Sequence, residues 1–365
     1  MSEWQTFCLK DLGKIVGGTT PPTNNPKNYG NKIAWITPKD LSTLQGRYIE
    51  KGSRNISRLG FKSCSCVLLP KHAILFSSRA PIGYVAIAEK RLCTNQGFKS
   101  IIPNKKIYFE FLYYLLKYHK DNISNIGGGT TFKEVSGATL GLFEVKIPPT
   151  YYEQQKIART LSVLDQKIEN NHKINELLHT LAHKVYEHYF KYKPKNAKLE
   201  QIIIENPKSS IMVKNAQKTQ DKYPFFTSGD NILSYPKAII DGRNCFLNTG
   251  GNAGIKFYVG KASYSTDTWC ICANEFSDYL YLLLSSIKTH INQSFFQGTS
   301  LKHLQKNLLK KYPIYMPSAH EIKKFNQIIM PLLTLISINT RTSKKLEQIR
   351  DFLLPLLLKQ QVKPQ

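Results

Sequence analysis

Two stretches of the chain carry apolar residues in a four-three alternation, the spacing that lays one apolar seam along a helix. The first runs through Ile157, Leu161, Leu164, Ile168, Leu178, Leu181 and Val185, with the polar Asn171 and Asn175 at the seam positions between. The second runs through Phe325, Ile329, Leu332, Ile336, Leu346, Ile349 and Leu353, with Asn339 and Ser343 in the gaps. Every residue of the first series has its counterpart 168 positions further on. Packing on a globular core explains one such stripe, but not the same stripe with the same polar interruption twice. The pattern therefore predicts two long helices, 153–190 and 321–358, packed on each other. Each would be about 55 Å long at 1.5 Å per residue. Pro331 lies inside the second, where the missing N–H predicts a kink or break in the first turns.

The chain also repeats ahead of each helix. Gly129-Thr130-Thr131-Phe132-Lys133-Glu134-Val135 matches Gly298-Thr299-Ser300-Leu301-Lys302-His303-Leu304, and Val145-Lys146-Ile147-Pro148 matches Ile314-Tyr315-Met316-Pro317. Further back, the segment from Ile74 to Gly83 echoes that from Cys245 to Gly254, each reading as a buried strand followed by a glycine-rich turn. Thr94-Asn95-Gln96 echoes Thr266-Asp267-Thr268, each just before an aromatic residue, Phe98 or Trp269. The predicted fold class is α+β: two globular domains, 1–148 and 194–317, separated by two long antiparallel coiled-coil helices, 149–193 and 318–365, in a pseudo-twofold internal duplication.

Charge decides the class of partner. Lys and Arg number 51 against 25 Asp and Glu, a formal net charge of +26 over 365 residues, and such an excess draws a protein toward polyanions. The first helix is balanced, five basic against five acidic, and the second has six against three. Nearly all of the excess, about +23, thus falls in the globular parts, leaving the helices free to bind protein. Seven scattered Cys and no secretory pattern fit a reduced cytoplasm. Cys64-x-Cys66 and Cys270-x-Cys272 are spaced too tightly for structural zinc, so they read as strand cysteines. The apolar run 352–358 is too short to span a bilayer.

Catalytic signatures are missing. Ile147-Pro148-Pro149-Thr150-Tyr151 is only superficially like the box that holds a target amine in methyltransferases, and it sits at a helix start, where proline is favoured. The glycine-rich stretch 250–256 lacks phosphate-loop spacing. Asp165-Gln166-Lys167 has a nuclease-like spacing but no partner acid, and reads as a surface salt-bridge segment. His72, His119, His303 and the other histidines have no metal or triad spacing. No catalytic residue, metal or cofactor is predicted.

At Glu153-Gln154-Gln155-Lys156-Ile157-Ala158, continuing through Leu161-Ser162, Leu164-Asp165, Ile168, Asn171 and Tyr189-Phe190, the chain resembles the central region of type I restriction-modification specificity subunits. Ile349-Arg350-Asp351-Phe352-Leu353-Leu354-Pro355 is similar to that family's closing motif. Trp4, Leu9, Leu12, Gly17-Gly18-Thr19-Thr20-Pro21, Trp35-Ile36-Thr37 and Gly129-Thr130-Thr131 add matches in the expected order. The second half, at 199–210, lacks the clean Gly-Thr-Thr-Pro. The resemblance implies two target-recognition domains, each reading one half of a bipartite site on double-stranded DNA. It also implies that the helices set the spacer and dock two methyltransferase subunits, with restriction and translocation subunits joining the larger complex. Two other readings remain open on the sequence: an enzyme that modifies DNA itself, and a basic coiled-coil adaptor that binds nucleic acid without sequence specificity.

Reading bases needs Arg, Lys, Asn or Gln presented on loops, while Ser, Thr, Lys and backbone amides hold phosphates. The candidates in the first half are Thr19, Thr20, Lys39, Ser78, Arg79, Asn95, Gln96, Thr130 and Lys133. In the second they are Ser228, Asn231, Asn248, Asn252, Lys256, Asp267, Thr299 and Lys302. Asn171 and Asn339, near the helix midpoints, are expected to meet and fix the register of the helix pair.

Overall fold

The computed structural model of the chain describes residues 3–129, 133–216 and 222–364. It divides into two compact units, Met1–Glu169 with Ile349–Gln365, and Asn170–Gln348, so each unit holds a β-rich body and a stretch of both long helices.

The helices are Tyr151–Phe190 and Ala319–Leu358, each starting two residues before the predicted limit. The reason is a hydroxyl N-cap in each copy, completed to a capping box in the second. The Thr150 hydroxyl accepts the Glu153 N–H at 3.2 Å, and the Ser318 hydroxyl accepts the Glu321 N–H at 3.3 Å while the Ser318 N–H donates back to the Glu321 carboxylate at 2.9 Å. The Ser318 backbone bond, aided by the Tyr315 hydroxyl, holds the Glu321 carboxyl at about 2. Its stabilising contribution is therefore present above the ordinary carboxylate range and fades only as pH falls toward that value. The second helix runs on unbroken through Pro331, so of the predicted kink or break the break does not occur. Pro331 and Gln327, whose carbonyl loses its donor, are both exposed, so water can take the bond.

In the second unit the polar seam positions pair across the helices. The Asn171 amide donates to the Ser343 hydroxyl at 3.1 Å, and the Asn339 amide donates to Asn175 Oδ1 at 2.9 Å. Tyr189 meets Phe325 edge-on at 5.9 Å. As one partner's number rises the other's falls by the same step, so this stretch is antiparallel. The expected Asn171–Asn339 pair does not form, because the midpoint of the pairing falls between Asn171 and Asn175. Asn171 therefore faces the repeat equivalent of Asn175, which is Ser343. The seam also departs from its predicted path at one place in each copy. Leu181 and Ile349 are 47% exposed, whereas Ala182 is buried and Arg350 lies largely inside. The step from Leu178 and from Leu346 is four residues, not three.

In the first unit, Ile157 and Leu161 share a core with Leu354, Leu357 and Leu358. Beside them Arg350 binds Asp165 at 2.6 Å, and Asp165 accepts the Tyr114 hydroxyl at 2.6 Å. Asp165 is 3% exposed, so of the predicted surface segment Gln166 and Lys167 face solvent while Asp165 belongs to a buried triad. The repeat equivalents of these three residues, Leu333, Ala182 and Leu282, are all buried and apolar. One copy fills the position with charge and the other with hydrocarbon.

Each body is built on a sheet. In the first the order is Gly13–Gly17, Lys99–Pro103, Ile74–Ser78, Ile82–Ala88 and Tyr48–Ile49. In the second it is Ile204–Glu205, Thr268–Cys272, Arg243–Asn248 and Ile255–Val259, which reproduces the first four strands. A helix packs on each sheet, Phe109–Asn125 in the first and Ser277–Ser286 in the second. An arginine, buried in the first and half-buried in the second, ties that helix to a long one in both. Arg47 binds Glu110 at 2.9 Å and Glu169 at 3.0 Å, while Arg243 binds Asp278 at 2.6 Å through Nε and the Thr334 hydroxyl at 2.9 Å. Of the predicted strand cysteines, Cys270 and Cys272 lie in a strand, but Cys64 lies in the turn after the helix Arg58–Lys62, where its thiol closes onto the Gly60 carbonyl, and Cys66 lies in the irregular chain just beyond. Among the described residues no cluster is placed to hold a metal ion, and no helix is long and apolar enough to cross a membrane.

Removing one member of the buried triad leaves an uncompensated charge. Arg350→Ala is expected to lower unfolding free energy by about 3–5 kcal/mol. The triple change Asp165→Leu, Arg350→Ala and Tyr114→Leu, which copies the other half, should recover most of that loss in denaturant titrations. Equal destabilisation by the single and triple variants would contradict this account.

Candidate nucleic-acid interface

The predicted loops of the first half gather at one end of its sheet. Gly17 faces Lys99 and Ser78 faces Ile82 in the strand register, so the loops that leave or enter these strands share that end. Main-chain bonds then tie them together. The Ser78 N–H and hydroxyl both donate to the Gly97 carbonyl, at 2.8 and 3.3 Å, and the Ser78 carbonyl accepts the Val135 N–H at 3.0 Å. The Thr19 N–H donates to the Thr94 carbonyl at 3.0 Å, and the Trp35 indole donates to the Thr19 carbonyl at 3.1 Å. The Thr20 hydroxyl donates to the Gln96 side chain. A Cβ on Gly97 would sit 2.8 Å from the Pro38 ring, which brings the turn carrying Lys39 against the same group.

The second half repeats this lock. The Thr249 N–H and hydroxyl both donate to the Asp267 carbonyl, at 3.2 and 2.7 Å, and the Thr249 carbonyl accepts the Leu304 N–H at 3.0 Å. The Ser228 hydroxyl reaches the same Asp267 carbonyl, and the Gly251 N–H donates to the Lys302 carbonyl at 2.9 Å. Gly129 and Gly298 both adopt positive φ, 119° and 143°, which explains the glycine that opens each repeated motif.

This register shifts one sequence echo. The Asn95 N–H donates to the Ile36 carbonyl as the Ser265 N–H donates to the Phe226 carbonyl, so 94–96 corresponds to 264–266 and not to 266–268. The Phe98 and Trp269 aromatics that suggested the other alignment occupy different ladder positions.

The candidates divide by exposure. Lys39, Gln96, Lys133, Asn231, Asn252, Thr299 and Lys302 are exposed, and Thr19, Thr20, Arg79, Asn95, Ser228, Lys256 and Asp267 are partly so. Thr130 lies outside the described residues. Ser78 and Asn248 are buried and face their neighbours: the Asn248 amide donates to the Asn252 carbonyl at 3.2 Å, and its Oδ1 accepts the Lys256 ammonium at 3.2 Å. Lys256 also donates to the Thr227 carbonyl at 2.8 Å, and burial pushes its ammonium below the ordinary lysine range. These residues build the loops and do not present themselves to a ligand. In the first half Glu134, which sequence reasoning passed over, lies 3.5 Å from Arg79 and 3.4 Å from Lys99. Its signal was an acid inside a repeated motif whose other copy has His303.

The chain matches the family model described as type I restriction modification DNA specificity domain over residues 1–180 and 195–348. It is 33% identical to the type I restriction enzyme MjaIX specificity subunit of Methanocaldococcus jannaschii, over 98% of this chain and 93% of that one. It is 32% identical to the HindI specificity subunit of Haemophilus influenzae, over 46% of this chain and 37% of that one. The crystal structure of a type I restriction-modification S subunit from M. genitalium superposes with a TM-score of 0.64 at 18% identity, over 98% of this chain and 96% of that one, a likeness of fold.

Buried and exposed candidates should behave differently. Asn248→Ala leaves the half-buried Lys256 ammonium with the Thr227 carbonyl alone and the Asn252 carbonyl without its donor, and is expected to cost about 1–3 kcal/mol of stability. Gln96→Ala or Asn252→Ala should leave the melting temperature unchanged and weaken DNA binding. Thermal denaturation beside a fluorescence-anisotropy titration reads both, and the opposite division would overturn the assignment.

Proposed function

We infer the function of this chain from its membership: it belongs to the type I restriction-modification DNA specificity family, whose subunits are the non-catalytic DNA-recognition components of restriction-modification complexes. We propose that each body reads one half of a bipartite sequence on double-stranded DNA through the loop cluster at the end of its sheet. The observation that carries this reading is the lock around Ser78 and Thr249, the same three bonds built twice in one chain. The exposed Lys39, Gln96 and Lys133 in one cluster, and Asn231, Asn252 and Lys302 in the other, are the side chains free to reach base edges or phosphates.

The helices serve as the docking surface for two methyltransferase subunits, to which restriction and translocation subunits add. Supporting this, both helices carry large apolar side chains turned to solvent: Ile174 and Leu177, 42% and 71% exposed, and Ile349 and Phe352, 47% and 67%. Exposed apolar groups at such density mark a surface that another protein covers. The polar seam pairs around Asn171, Asn175 and Asn339 set helix register, since a buried amide is satisfied only when its partner sits opposite. Register then sets the DNA spacer, because each residue of slip moves a body by about 1.5 Å against a DNA rise of about 3.4 Å per base pair.

Three experiments test this. Methylation mapping of a host that carries the chain with a methyltransferase partner should give a bipartite motif. Exchange of residues 1–148 for those of a relative should change one half of that motif alone, and a change in both halves would refute separate readers. Leu177→Glu or Phe352→Glu should abolish co-purification with the methyltransferase while the folded chain still binds DNA. Retained co-purification would remove the helices from the docking role.

A further inference from the structure

Each body also holds a basic pocket away from its reading loops, and the two pockets are the same place in the repeat. In the first body Trp35 and Ile36 pair in parallel with Cys93 and Thr94, and in the second Phe225 and Phe226 pair in parallel with Ser263 and Tyr264. The amide bonds that continue these ladders, Asn95 to Ile36 and Ser265 to Phe226, confirm that the two pairs correspond. Two residues back from the start of each ladder stand Ile33 beside Arg91 and Tyr223 beside Lys261, and one further back stand Lys32 and Lys222. A concave pocket opens at this point in both bodies, 760 Å³ in the first and 530 Å³ in the second. Lys51 and Lys90 complete the first, and Arg341 and Lys345 from the long helix complete the second.

Neither pocket is lined by an acidic residue among those described. Lys32, Arg91, Lys222 and Lys261 are exposed and, among the described residues, form no ion pair, although Lys222 lies 5.4 Å over the Tyr223 ring. The sequences around these positions have diverged, yet a cation stands at both equivalent sites in both halves. Counterions alone do not demand such placement; an anionic ligand met by both halves does.

We propose that these two pockets each hold a phosphate group of the DNA backbone and anchor the duplex without regard to sequence. The inference rests on the DNA-recognition reading above and adds residues remote from base contact. Four residue steps lead from Arg91 to Asn95 and from Lys261 to Ser265, about 13 Å at 3.3 Å per residue, within reach of a phosphate beside the bases read there. A phosphate anchor positions the body and carries no base information.

The test measures binding of a long random-sequence duplex against salt by the full chain and by two variants, Lys32→Gln with Arg91→Gln and Lys222→Gln with Lys261→Gln. Lys191→Gln, one residue past the end of the first long helix and paired with Glu187, serves as control. Each pocket variant should flatten the slope of log affinity against log salt by about 0.9 for every phosphate that is no longer neutralised. Affinity should fall by the same factor on duplexes with and without the methylated motif, the motif itself should stay as it is, and circular dichroism should show an unaltered fold. A variant slope equal to that of a steeply salt-dependent parent overturns the proposal while leaving DNA recognition intact. A parent with no salt dependence instead defeats the functional reading itself. An altered motif assigns the pocket to base reading, and inorganic phosphate that binds the parent but not the variants, with an unchanged DNA slope, assigns it to a free anion; both outcomes overturn the backbone anchor.

Discussion

One residue in each half ties together the loops at the end of its sheet. Ser78 and Thr249 each direct N–H, hydroxyl and carbonyl at two other loops, so a strand end becomes the hub on which the loops converge. A buried polar group left unmatched costs about 1–3 kcal/mol, so three matched groups on one buried or half-buried residue make alternative loop arrangements unfavourable. The partners are main-chain atoms, which every residue supplies. The loops can thus converge reliably while their exposed side chains differ between the halves.

The repeat also shows two solutions to one packing problem. At equivalent places on the helix seam the first unit buries Asp165, Arg350 and Tyr114, and the second buries Leu333, Ala182 and Leu282. A buried ion pair gains little net stability over hydrocarbon of similar volume, but it tolerates no partial loss. The arginine clamps repeat a function through different residues: Arg47 and Arg243 come from unrelated points in the chain and reach a carboxylate at the start of equivalent helices, Glu110 and Asp278.

Much of this was legible in the sequence, because a helical seam repeats at fixed spacing and insertions would destroy it. The helices, their polar interruption and the duplication follow from that alone. The bodies were less legible, since loops of different length separate equivalent strands and sequence echoes can slide by a residue or two, as at 94–96. Ser78 and Asn248 looked like readers because they are polar and stand beside glycine-rich turns, but only the ladder reveals that they point inward. Leu181 and Ile349 looked like seam residues because leucine and isoleucine belong in seams, and the step of four that turns them outward depends on Ala182 and Arg350. The basic pockets were not legible at all: Lys32 and Arg91 are far apart in sequence, and a parallel ladder alone makes them neighbours.

The lock at Ser78 and Thr249 has a consequence for how such a chain changes over generations. Its partners are already Gly97 and Val135 in one copy and Asp267 and Leu304 in the other, with the bonds preserved. Substitution at an exposed loop position therefore alters what the loop touches without loosening what holds it. Where such loops read the target, as proposed above, drift in the recognised sequence is uncoupled from drift in folding, and a lineage under pressure to change its target can do so through single replacements that leave a folded protein at every step.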